Sequence, residues 1–129
     1  MANQFVVELK NEPGGLATLA EALAARGIDL RAIGGGGIGD TGHIIMTTAD
    51  DDAARAVLAA GGYTFIEGES ILTEVDDRPG GMARLSRSLA DAGVNIYGHL
   101  FLGRWGDRAM FAFVVDDPDK ARPILERKA

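Results

Sequence analysis

Asn11-Glu12-Pro13-Gly14-Gly15-Leu16 returns later in the chain as Asp77-Arg78-Pro79-Gly80-Gly81-Met82, and this repetition decides how the whole sequence is read. Working outward, Leu19 answers Leu85, Leu23 answers Leu89, and Arg26-Gly27-Ile28-Asp29-Leu30 answers Ala92-Gly93-Val94-Asn95-Ile96, all at an offset of 66. Gly39-Asp40 then matches Gly106-Asp107, Asp50 matches Asp117, and Arg55 and Leu58 match Arg122 and Leu125, now at an offset of 67. The second copy therefore carries one extra residue between these stretches. An internal repeat outranks any single-residue motif, because it means that one supersecondary unit is used twice. Two such units suggest a pseudo-twofold pair, with functional positions at the seam.

The repeat divides the 129 residues into a first unit over 1–68 and a second over 69–129. A unit of that size buries only about 60% of its unfolded surface and is marginal alone, so the halves are expected to pack as one folding unit. Hydrophobic content of 47% with 25% charged residues is ordinary for a globular protein. No apolar run approaches the length of a membrane-spanning helix. Met1-Ala2-Asn3-Gln4 leads straight into a strand-like run, which leaves no room for a signal peptide. The absence of cysteine excludes disulfides, thiolate metal sites and cysteine nucleophiles, and a cytoplasmic location of bacterial type fits. A net charge of −6, with dispersed basic residues, argues against nucleic-acid binding, whose affinity comes largely from neutralised phosphates.

Phe5, Val7 and Leu9 alternate on one face of a strand. Pro13 suits a helix start because it lacks the N–H that the first turn leaves unused. Leu16, Leu19, Ala20 and Leu23 then fall on one helical stripe. Strands are expected over 28–33, 44–48 and 63–66, with a helix opened by Asp50-Asp51-Asp52 between the last two. The second copy repeats this with strands over 71–75, 95–102 and 109–115 and helices over 82–92 and after Asp117. Pro123, inside the last helix, is expected to kink or shorten it at a cost of ~3 kcal/mol. The chain ends at Ala129 with no fourth strand for the second unit. Strand–helix–strand twice over is the split βαβ of ferredoxin-like folds, so the fold class is α+β with two βαββαβ units.

A strand, an acidic or amide residue two before Pro-Gly, and a helix ending in Gly-Val-Asn-Ile together resemble the ACT domain, a small ferredoxin-like regulatory module that binds amino acids. The resemblance covers nearly the whole chain, twice. It implies two units side by side, joined through their second strands into one antiparallel sheet with the helices on one face, and a ligand at the seam. One implied site takes Asn11, Gly14, Gly15 and Leu16 from the first copy and Asn95 from the second. The pseudo-symmetric site takes Asp77, Gly80, Gly81 and Met82, completed by Asp29. The chemistry is coherent: N–H groups at a helix start favour a carboxylate, glycines allow close approach, and an amide or carboxylate accepts from an ammonium. The family's serine-binding members place a histidine two residues before the motif, where this chain has Leu9 and Val75, so serine is not the expected ligand.

Other motifs read more plainly. Gly34-Gly35-Gly36-Gly37-Ile38-Gly39 formally satisfies GxGxxG but opens no helix, so it reads as a flexible hairpin connection, or a flap over a ligand, and not as a nucleotide fingerprint. His43 reads as a hairpin surface residue, and His99 is expected to share a strand face with Tyr97 and Phe101. The Asp runs at 50–52 and 116–117 read as helix caps. No histidine has a partner at metal-ligand spacing, and no serine stands in a recognisable triad, so no catalytic residue, metal or cofactor is expected. Trp105 is a candidate exposed loop tip. Val6, Ile45, Tyr97, Phe101, Met110, Ala112 and Val114 are expected on the sheet face away from the helices, too apolar to lie bare, which predicts a homodimer through that face. The leading expectation is an amino-acid sensor that regulates another enzyme or protein. A scaffold module and a small enzyme of the dimeric α+β barrel type are its rivals.

Overall fold

The computed structural model describes residues 2–126. The chain divides into two compact units at Gly68/Glu69. The first consists of β1 (Asn3–Lys10), α1 (Gly15–Ala25), β2 (Leu30–Ile38), β3 (Thr41–Thr48), α2 (Asp51–Ala60) and β4 (Phe65–Glu69). Its antiparallel sheet runs β2-β3-β1-β4. Phe5, Val7, Ile44 and Met46 of the sheet meet Leu19, Leu23, Ala54 and Leu58 of the helices in one buried core. β4 remains with this unit, Glu8 N–H donating to the Thr64 carbonyl at 2.9 Å.

The second unit follows with β5 (Ile71–Asp76), α3 (Gly81–Asp91), β6 (Ile96–Trp105), β7 (Arg108–Val115) and α4 (Pro118–Leu125), and its sheet runs β5-β7-β6. Ile71, Phe113 and Val115 pack on Leu89, Ala121 and Leu125. The α+β class and the repeated ferredoxin-like pattern are thus present, and the second unit has three strands among the described residues. The strands form a four-stranded and a three-stranded sheet, rather than the one sheet implied above. Both capping expectations hold: Asp50 accepts from Ala53 N–H at 3.0 Å and Asp117 from Lys120 N–H at 3.2 Å. α4 continues through Pro123 and stops two residues later.

Two expectations change, and a third is given its structural cause. The glycine run is not a flexible connection. Gly34–Gly37 lie within β2, paired in register with Ile45, Ile44, His43 and Gly42, and the turn is only Gly39-Asp40. The extra residue of the second copy is also located. Both units have an irregularity near the start of their second strand, at Arg31 and Tyr97, but β6 has another at Leu102, between Phe101 and Gly103. A bulge adds one residue against the partner strand, which changes the offset from 66 to 67.

The bulge at Tyr97 corrects the expected faces of β6. A one-residue slip sends every following side chain to the other face, so His99 and Phe101 are in register with Phe113 and Phe111 on the helix side. Phe101 packs edge-on against Phe111 with ring centroids 5.5 Å apart. Of the face expected to be too apolar to lie bare, Ala112 and Val114 are each 1% exposed and Tyr97 is 47% exposed. Phe101 thereby leaves the set of outer-face residues on which the homodimer expectation rests.

Candidate functional site

In each unit the Pro-Gly-Gly turn lifts the chain from its first strand into its first helix, and its two glycines do different work. Gly14 and Gly80 cap α1 and α3 with φ of 90°, a left-handed conformation that a side chain disfavours. Gly15 and Gly81 permit a close approach: a Cβ would lie 2.9 Å from the Lys10 carbonyl oxygen in the first case and 2.2 Å from that of Asp76 in the second. With glycine as cap, neither helix start has a side-chain hydrogen bond, and neither first turn carries an acid. Gly15 N–H is taken by the Glu12 carbonyl at 3.2 Å, so the open donors of the first turn begin at Leu16. The loops are pinned alike to the neighbouring hairpins, Asn11 N–H to Asp40 O at 2.9 Å and Asp77 N–H to Asp107 O at 2.8 Å.

Beside the first turn lies a groove of about 440 Å³ within the first unit, between the start of α1 and β2. Asn11, Gly15 and Leu16 line it, as do Lys10, Glu12, Ile33, His43 and Gly34–Gly37. The glycines make the room. The Asn11 amide nitrogen donates to the Gly39 carbonyl at 2.9 Å, which leaves its side-chain oxygen as an acceptor beside Gly37. Leu16, expected on the buried stripe, is half exposed and forms a wall instead. His43 is on the surface as expected, but within this groove.

The second unit has a counterpart of about 330 Å³, lined by Asp77, Met82, Arg104, Ala109 and Phe111 among others. Gly80 and Gly81 stand at the adjoining helix start. Asp29 and Asn95 do not join the groove of their own unit. Each precedes its second strand, at the end where β2 meets Thr48 and β6 meets Val115. The loop of Asn11 is at the Thr41 end, seven strand residues or roughly 23 Å away. Asn95 N–H donates to the Asp116 carboxylate at 2.9 Å, while the Asp29 side chain is exposed and 3.6 Å from Arg31.

A second repeated feature lies elsewhere in each unit. Arg55 donates to both carboxylate oxygens of Glu67, at 2.7 and 2.6 Å, and to Asp52. Arg122 contacts Glu69 and Asp119 in the same pattern. Hydrogen bonding from Arg55 holds the Glu67 carboxyl below its ordinary range, and both guanidinium groups are held above theirs by the hydrogen bonds they donate. No cluster able to hold a metal ion occurs among the described residues, nor a helix long and apolar enough to cross a membrane.

Sequence reasoning missed Ile33, His43 and the floor of glycines. The glycine run was visible, but its place in a strand depended on register. Comparison with known proteins fits this geometry. Residues 4–60 match the ACT domain family. A search of curated proteins gives no match. Among solved structures, a protein from Bacteroides thetaiotaomicron is similar at 23% identity and a TM-score of 0.71, covering 97% of this chain and 86% of that one. The regulatory subunit of aspartate kinase from Thermus flavus is similar at 21% identity and a TM-score of 0.66, covering 97% and 88%. That from Thermus thermophilus, in its ligand-free form, gives 20% identity, a TM-score of 0.64 and coverage of 97% and 87%. Residues 4–60 are therefore similar to the ACT domain family, and the second unit repeats the strand–helix–strand–strand–helix order of the first.

Proposed function

We propose that this chain is a regulatory module that binds an amino acid without converting it. Its ligand lies against Asn11, Gly14, Gly15 and Leu16, and Asn95 of the second copy completes the site. The pseudo-symmetric set is Asp77, Gly80, Gly81 and Met82 with Asp29. The observation that carries the reading is the groove beside α1, where an uncapped helix start, an amide oxygen and a glycine strand converge. The first-turn N–H groups suit an α-carboxylate, and the Asn11 oxygen suits an α-ammonium. Leu16 and Ile33 offer apolar walls for a side chain. In this proposal the chain acts in the cytoplasm, as a homodimer, on a regulated enzyme or other protein. Two solved structures of the same fold being regulatory subunits supports that role.

Thermal unfolding in the presence of each of the twenty standard L-amino acids tests the reading. A ligand that binds only the native state stabilises it by RT ln(1+[L]/Kd), about 2.7 kcal/mol at a hundredfold excess over Kd. At least one amino acid should raise Tm. Asn11→Ala and Asn95→Ala should shrink that shift, and Arg26→Ala, exposed at the end of α1, should not. No shift with any of the twenty at millimolar concentration would overturn the proposal.

A further inference from the structure

Resting on that reading of the first-unit groove, we propose that the chain has a single working site, and that in the second unit's counterpart its own Arg104 takes the place of a ligand cation against Asp77. The repeat allows the two grooves to be compared position by position. In the first unit, the residues of β2 in register with Ile44 and Gly42 are Gly35 and Gly37. In the second, the residues of β6 in register with Phe111 and Ala109 are Phe101 and Arg104. Two absent side chains in one copy are thus two of the largest in the other.

Arg104 lines the second groove together with Asp77 and Phe111. Phe101 lies edge-on against Phe111. The Arg104 guanidinium sits 4.7 Å from the centre of the Phe101 ring, and its Nε donates to the Asp77 carboxylate at 2.7 Å. Asp77 is the counterpart of Asn11. A cation of the chain itself is therefore held against the loop where, in the first unit, a ligand ammonium would meet Asn11. The aromatic face and the carboxylate together satisfy that cation. In the first groove no β2 side chain reaches the loop: Gly37 stands there, and a Cβ on it would come within 2.6 Å of the Asn11 side chain. The difference in charge between Asn11 and Asp77 follows: the acid is there to hold Arg104.

Equilibrium dialysis with each of the twenty standard L-amino acids, isotopically labelled, tests the inference. The wild type should plateau at one molecule per chain. Arg104→Gly, or Arg104→Ser if the glycine variant melts early, should plateau at two. Transplanting the pair with Asn11→Asp and Gly37→Arg should abolish binding while the circular-dichroism spectrum stays that of the wild type. Two molecules per wild-type chain, one per chain in both Arg104 variants, or retained binding in the folded transplant would each overturn the inference while leaving amino-acid binding standing. No binding of any amino acid to any variant would overturn both.

Discussion

At the scale of single residues, the Pro-Gly-Gly turn sets separate demands on its two glycines. The second glycine lies under a strand carbonyl, and the distances rank the consequence of adding a methyl group. Gly81→Ala, with 2.2 Å to backbone, should cost roughly 2–3 kcal/mol of stability, and Gly15→Ala, with 2.9 Å, roughly 1 kcal/mol. Gly36→Ala, with nothing within 4 Å, should stay within about 0.5 kcal/mol. Chemical denaturation of the three variants checks the order, and a Gly36 variant as unstable as the Gly81 variant would contradict it. Glu67 carries a pH dependence of known sign. Its folded-state carboxyl is held below its ordinary value of 4.5 by hydrogen bonding from Arg55, and also from Asn3. Its stabilisation is therefore present above the usual glutamate range and is lost as pH falls through the depressed folded value. Glu67→Gln should lower Tm by a few degrees at neutral pH, and the gap from the wild type should close in acid. A gap that persisted unchanged in acid would show that the carboxylate charge is not its source.

At the scale of elements, much of the fold was legible because the repeat supplied each element twice. The helices announced themselves through Leu19, Leu23, Leu85 and Leu89, and the caps through Asp50 and Asp117. What was not legible is register. Alternation counted from Ile96 puts Phe101 on the outer face, and only the bulge at Tyr97 brings it inward to Phe111. A bulge has no firm residue signature, so alternation inverts the faces of β6 and misplaces Phe101 on the expected dimer face. The same difficulty hid the groove: the glycines were seen, but their alignment with Gly42 and Ile44 was not. Strand β5 offers a further test, because β7 is its one neighbour among the described strands. An edge presents a row of unpaired N–H and C=O groups and is usually covered or charged. If a second chain or a loop covers it, amides of both alternating sets along 71–75 should exchange slowly with solvent. Fast exchange of one alternating set in the intact assembly would show an open edge.

At the scale of the whole molecule, the edge of the second sheet offers a further surface for self-association. β6 ends the second sheet, and Tyr97, Phe101, Leu102 and Trp105 along it are all exposed. Exposed apolar groups along a strand edge are a contact surface, so the proposed homodimer should form there. Light scattering at tens of micromolar should give about twice the chain mass of 13.5 kDa, and Leu102→Glu should return it to the monomer. A wild-type monomer, or a dimer indifferent to Leu102→Glu, would contradict that surface. The claim on which the rest depends is that an amino acid enters the groove between α1 and β2. Backbone amide resonances followed by nuclear magnetic resonance, during titration with whichever of the twenty amino acids raises Tm most, test it most directly. The account predicts saturable shifts at Leu16, Ala17 and Gly34–Gly37, with the equivalent amides of Met82, Ala83, Gly103 and Arg104 unmoved. Shifts confined to the second set, or absent from the first at saturation, would contradict it.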